Sequence, residues 1–223
     1  MNAAITPERI QLVVQGMILL ILSVAVHEFG HAWAANRMGD SLPRRQGRLT
    51  LNPLAHADPI GTIALPLLFL VTTGSMGFGW GKPVEHTTHD RKKRLVISFA
   101  GPAMNVILAV ILGVVHCALL ATGTLEVSSK LSGALYMGVF LNFILFCFNL
   151  LPAAPLDGGS VFRGLIPESW VRTYDEYAVY APFVVLGFML IPQFRVVVTW
   201  PAMKLTTSLY QLASMAMGLH SPV

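Results

Sequence analysis

The sequence predicts an all-α polytopic membrane protein, a bundle of about five to six transmembrane helices with a re-entrant segment at 49–81. Three observations predict it. Of the 223 residues, 54% are hydrophobic and only 12% are charged, about half the ~25% charge of a soluble domain. Mean hydropathy is +0.64, and the missing charge is concentrated in long uncharged runs rather than spread evenly. One further apolar run is broken by Pro and Gly between two basic flanks, a pattern that an ordinary crossing does not show.

Ile10 to Asn36 holds Glu28 as its one charged side chain, and at 1.5 Å per residue it is ample for a spanning helix. It follows Glu8 and Arg9 without the pattern of a cleavable leader, and the chemistry it carries requires that it be retained. Leu95–Thr122, Leu131–Leu156 and Tyr177–Phe194 are further uncharged runs, the last containing Pro182 and Pro192. The tail from Val196 is apolar but interrupted by Pro201 and Lys204, which leaves spanning and interfacial placement both open.

Ile60–Trp80 is uncharged too, yet Pro66, Gly74, Gly77 and Gly79 punctuate it. Arg37, Arg44, Arg45 and Arg48 precede it, and Lys82 and Arg91 to Arg94 follow. Positive flanks prefer the cytoplasmic side. Two crossings would need ~40 residues, so the segment is expected to dip in and return beside a cavity. The N-terminus is then outside, and most Lys and Arg lie inside. No repeat or linker divides the chain. It reads as one domain, 1–223, with a core unit at about 10–165 and C-terminal helices at 177–223.

The formal net charge of +4 sits in loops between apolar runs, where it orients the protein and attracts anionic lipid. A nucleic-acid partner is not expected. Cys117 and Cys147 both lie in apolar runs, which excludes a disulfide framework and a Cys-rich zinc site.

The sharpest signal is His27-Glu28-Phe29-Gly30-His31. Histidines four apart share one helical face, so both can reach a single Zn²⁺ while the Glu contacts water at the metal. Ionisable groups inside an apolar helix are costly and point to function. The distance to Arg37 puts the cluster roughly 15 Å below the inner surface. A catalytic zinc takes three protein ligands. In Asn149-Leu150-Leu151-Pro152-Ala153-Ala154-Pro155-Leu156-Asp157-Gly158-Gly159, two prolines stop a helix and lead to Asp157. From local sequence alone, Asp157 as a third ligand and Asp157 as a helix cap both remain open.

The two motifs together resemble the site-2 protease family of intramembrane zinc metalloproteases, peptidase family M50, marked by HExxH on one transmembrane helix and an N-x-x-P-x-x-P-x-D-G segment on a later one. Asn52 to Gly61 and Phe99 to Asn105 fit the same family, and the likeness covers about residues 16 to 165 of a compact form without PDZ or CBS domains. The resemblance implies one Zn²⁺ per chain held by His27, His31 and Asp157, with Glu28 as general base. It also implies cleavage of transmembrane segments of membrane proteins in the cell (inner or plasma) membrane, with the site towards the cytoplasm, in regulated intramembrane proteolysis. Its partners would be a transmembrane protein substrate and the bilayer. Substrate identity and oligomeric state stay open.

Asn105, Asn149, Asn52, His56 and Asp58 are candidates for substrate binding or support. For the asparagines at 105 and 149, plain interhelical hydrogen bonding is an equal alternative. His56 and Asp58 favour a structural or gating role. His86 and His89 read as a solvated loop, and His116 as packing. A transporter would spread ionisable groups along several spans, and an inactive scaffold would lack Glu28 or a ligand. This chain shows neither.

Overall fold

The computed structural model describes residues 6–68 and 79–219. Its first helix, α1 (Pro7–Arg37), is followed by two single-turn helices, α2 (Leu42–Arg45) and α3 (Pro53–His56). A π-helical stretch, Pro59–Ala64, runs on as an apolar helix to Leu68. An extended strap, residues 79–90, leads into α4 (Arg91–Ala121), then α5 (Lys130–Asn149), α6 (Asp157–Leu165), α7 (Glu168–Ala178), α8 (Ala181–Leu190), a 3₁₀ turn Pro192–Arg195, and α9 (Val196–Ala216).

Three of the described helices are long and apolar enough to cross a membrane: Ile10–Arg37, Arg91–Ala121 and Lys130–Asn149. Their lipid-facing stripes are visible in the exposed side chains. Ile10, Val14, Ile18 and Leu22 follow one another at four-residue spacing on α1, as do Ile107, Ile111 and Val115 on α4. Contiguous apolar surface of this kind belongs against lipid rather than water.

The expected count of five to six spans exceeds these three. The run 177–194 does not form one crossing helix: α7 ends at Ala178, and α8 begins at Ala181 and stops at Leu190. Pro182 and Pro192 supply the breaks, since neither can donate a backbone N–H. Ten residues make about 15 Å of helix, half the ~30 Å hydrocarbon core. α9 has the length, with Pro201 and Lys204 inside it.

α4 is the centre of the bundle and touches α1, α5, α6 and α9. Ala109 and Cys117 of α4, Val139 and Phe143 of α5, and Ala202, Tyr210 and Ala213 of α9 form one core. Ala34, Ala35 and Ile97 close α1 on α4. His116 is fully buried there, its Nδ1 2.7 Å from Tyr210 Oη and its Nε2 2.8 Å from Ser132 Oγ. Polar bonds of this sort join helices where lipid offers no partner.

The re-entrant expectation rests on residues 49–81, of which 69–78 lie outside the described residues. The described ends meet. Trp80 N donates to Gly61 O at 3.2 Å and Lys82 N to His56 O at 2.8 Å, so the chain returns alongside its own outgoing limb. Glycine suits that meeting, because a Cβ at residue 61 would come within 3.0 Å of Trp80 ring atoms.

Two buried charges hold the strap. Arg48 donates to the carbonyls of Ala55, Lys82 (2.8 Å) and Pro83 (3.0 Å). Asp40 accepts from Leu42 N (3.0 Å), Thr87 N and Thr87 Oγ1 (2.9 Å). Burial alone would raise the Asp40 carboxyl, but these donors hold it below its ordinary value. The sign follows: the group's stabilisation is present above its unfolded pKa of about 3.9 and fades as pH falls through its lower folded value. Asp40→Asn should therefore loosen residues 82–88 at neutral pH by about 1.5–3 kcal/mol, the worth of hydrogen bonds to a charged group. Hydrogen exchange of the Val84 and Thr87 amides reads the effect, and acidification through the lowered folded pKa of Asp40 should reproduce it in the unsubstituted protein. Unchanged protection in both would count against the clamp.

Candidate metal centre

His27, Glu28 and His31 lie on the buried length of α1, each 8% exposed. The four-residue spacing stacks the two imidazoles on one face, with Nε2 of His27 3.0 Å from Nε2 of His31. Asp157 comes from the start of α6. Its Oδ2 is 3.1 Å from His27 Nε2 and 3.3 Å from His31 Nε2. Asp157 opens that helix, yet its carboxylate turns to the imidazoles. Two close approaches make the meeting possible. A Cβ on Gly101 of α4 would strike both imidazole rings, and one on Gly158 would strike the backbone of Leu150 and Leu151.

The donor chemistry fits a cation. His27 Nδ1 lies 2.7 Å from Asn105 Oδ1, and His31 Nδ1 lies 2.8 Å from Ile97 O. Both partners are oxygens that only accept, so each Nδ1 carries the proton and each Nε2 turns its lone pair inward. With Asp157 Oδ2, three acceptors then face one another and require a proton or a metal ion between them. Ligands about 2.0–2.1 Å from a tetrahedral zinc stand about 3.3 Å apart, close to the 3.0–3.3 Å separations here. These three residues form the candidate metal group among the described residues.

The group opens on a cavity of about 900 Å³, towards the upper end of the ~300–1,000 Å³ of ligand pockets. His27, Glu28, His31 and Asp157 make its polar end; α5 (Leu141, Leu145, Phe148) and α8 (Val185, Leu186) contribute apolar walls. Glu28 Oε2 accepts from Val84 N of the strap at 3.1 Å, which anchors one carboxylate oxygen at the cavity.

The supporting candidates divide. Asn149 lines the cavity, its Nδ2 turned back to Leu145 O at 2.9 Å. Asn105 is fully buried behind His27, so it supports the imidazole and offers no surface to a substrate. Asn52, His56 and Asp58 do not line the cavity. Asn52 Oδ1 caps α3 through Leu54 N (3.1 Å), and Asp58 Oδ1 caps the π-helical stretch through Ile60 N (2.9 Å) and Gly61 N (2.7 Å). His56 Nε2 donates to Thr50 O at 2.8 Å. These three shape the turn that carries the strap.

His86 corrects the expectation of a solvated loop. It lines the cavity, and its Nδ1 is buried without a hydrogen-bond partner. Alternation along the extended strap turns Val84 and His86 inward, while Glu85 accepts from Gln46 Nε2 (2.7 Å) on the opposite side. Burial, with the Arg94 charge adding to it, holds the His86 pKa below its ordinary value. Asn142 of α5, fully buried beside Asn105, was not singled out by any sequence motif.

The chain shares its sequence with known proteins over much of its length. The model of "Peptidase family M50" matches residues 15–129 and 121–191. The chain is 37% identical over 196 residues to "Putative zinc metalloprotease YwhC" of Bacillus subtilis, covering 84% of this chain and 85% of that one. It is 37% identical over 153 residues to "Putative zinc metalloprotease Rip2" of Mycolicibacterium smegmatis, covering 67% of this chain and 56% of the relative. "Zinc metalloprotease MJ0392" of Methanocaldococcus jannaschii is 26% identical over 153 residues, 69% of this chain and 34% of that one. No solved structure matches the chain significantly. A family match over most of the length, joined to a His-His-Asp centre between apolar helices, leads to one conclusion: the chain belongs to peptidase family M50, the site-2 protease family that its paired motifs resemble.

Proposed function

We propose that the chain is an intramembrane zinc metalloendopeptidase of the site-2 type, one domain over residues 1–223. It cleaves transmembrane segments of membrane proteins, in regulated intramembrane proteolysis, from the cytoplasmic side of the cell membrane. The observation that carries the reading is the meeting of His27, His31 and Asp157 from opposite halves of the sequence, beside Glu28, in a cavity walled by apolar side chains.

His27, His31 and Asp157 hold the metal. A zinc ion in that place supplies Lewis acidity, acidifying water and polarising a carbonyl. Glu28, anchored through Oε2 by the Val84 amide, takes the proton from the attacking water and passes it to the leaving amine. The apolar walls from α5 and α8 receive hydrophobic side chains of an unwound substrate segment. Asn149 and the cavity-facing His86 stand where a polar backbone needs partners.

The test uses the full chain in lipid nanodiscs with a single-span helical substrate. Chelation should abolish cleavage, and one equivalent of zinc should restore it. Cleavage that persists after the metal is removed and shown absent by elemental analysis would refute the assignment.

A further inference from the structure

Three helices bring a closed set of amide hydrogen bonds to the back of His27. Asn142 of α5 sends Nδ2 to Gly138 O (2.8 Å) and to Ser23 Oγ (2.9 Å). Its Oδ1 accepts from Asn105 Nδ2 of α4 at 2.9 Å, and the same Nδ2 also reaches Ser23 O of α1 at 3.3 Å. Asn105 Oδ1 then faces His27 Nδ1 at 2.7 Å. Asn105 and Asn142 are both 0% exposed, so water cannot substitute for any of these partners.

The direction of the chain is determined at its far end. Gly138 O is a carbonyl and only accepts, so the atom of residue 142 facing it is the NH₂ group. Oδ1 of Asn142 must then face Asn105, which requires an NH₂ there. That leaves the Asn105 oxygen towards His27, and an oxygen at that place requires N–H at Nδ1. The lone pair of Nε2 consequently points into the metal centre. Reversing either amide would set two donors or two acceptors against each other in a dry interior.

We propose that Asn142 is a positioning residue for the metal centre: acting through Asn105, it fixes the His27 tautomer that binds zinc. The inference rests on reading His27, His31 and Asp157 as the zinc ligands. Asn142 touches neither the ligands nor the cavity. Its contribution is to metal affinity, not to the hydrolytic step.

The full chain in nanodiscs, titrated with zinc against a chelating dye, provides the test. Asn142→Leu removes the oxygen that orients Asn105 and should weaken zinc binding roughly 10- to 100-fold, as loss of an outer-shell partner does. Nitrogen-15 spectra of histidine-labelled, zinc-free protein should show His27 as the Nδ1–H tautomer in the parent and as a mixture in the variant. Asn142→Asp, protonated in that apolar site, can still donate to Gly138 O and accept from Asn105, and should bind zinc nearly as the parent does. Adding Asn142→Leu to Asn105→Leu should cost no further affinity.

Parent-like zinc affinity in a folded Asn142→Leu, or losses that add in the double variant, would overturn the relay. So would an Asn142→Asp protein that binds zinc poorly, an outcome that decides the matter even if the Leu variant does not fold. Should the parent bind no zinc, or keep it after His31→Gln, the metal-centre reading itself fails and the relay with it.

Discussion

Replacing Glu28 with Gln should lower the rate of peptide cleavage by about 10²–10⁴-fold, the range that a positioned general base contributes, while zinc stays bound at one per chain. The structure gives the reason that the two effects separate. Glu28 lies between the two proposed ligands on α1 but outside the His-His-Asp group, so its replacement removes none of the proposed donors. A glutamine can also keep the Val84 bond, because its amide oxygen accepts as Oε2 does at 3.1 Å. What disappears is the capacity to take a proton. Cleavage of the single-span substrate, measured together with zinc content on the same preparation, reads both quantities. Turnover near the parent rate would remove Glu28 from the role of base.

Asp157→Ala acts on the other half. It removes one of three proposed donors and leaves the lone pairs of His27 and His31 facing each other at 3.0 Å with no carboxylate among the donors to balance a cation. Zinc affinity should fall by well over the ~100-fold at which outer-shell losses end, and cleavage should fall with it at ordinary zinc concentrations. Asp157 also opens α6, so circular dichroism and thermal unfolding must accompany the titration. An Asp157→Ala protein that retains stoichiometric zinc would exclude the carboxylate from the centre.

The legible part of the site was the part encoded locally. His27 and His31 are neighbours by helical spacing alone, and their setting in an apolar run marks them. Asp157 could be joined to them only through the second motif, because nothing in residues 149–159 says which distant helix the broken chain will meet. Asn142 left no mark at all: whether a polar side chain in an apolar helix faces a neighbour's amide or a cavity depends on helix rotation, which α5 settles only by packing on α4 and α1.

Asn52 and Asp58 show the reverse error. Each stands just before a proline that begins a helical turn, the ordinary signal of a cap, and it was the family likeness of residues 52–61 and the expected re-entrant path that drew them towards the site. His86 was missed because its inward orientation depends on a strap held by Arg48 and Asp40 from elsewhere in the chain. For α8, the breaks were present in Pro182 and Pro192, but the absence of charge across 177–194 outweighed them.

The bond between His116 and Tyr210 bears on where this enzyme can be shortened. Residues 10–165 carry the three proposed ligands, which invites excision of a minimal unit. Yet α9 supplies Tyr210, Ala202 and Ala213 to the core that Ala109, Cys117 and Val139 share. Cutting before Val196 would strip that face bare and leave an imidazole nitrogen stranded in hydrocarbon, at about 1–3 kcal/mol for the lost partner alone. A shortened chain should therefore keep α9 (Val196–Ala216), because its loss would uncover the face of α4 and α5 that carries this core.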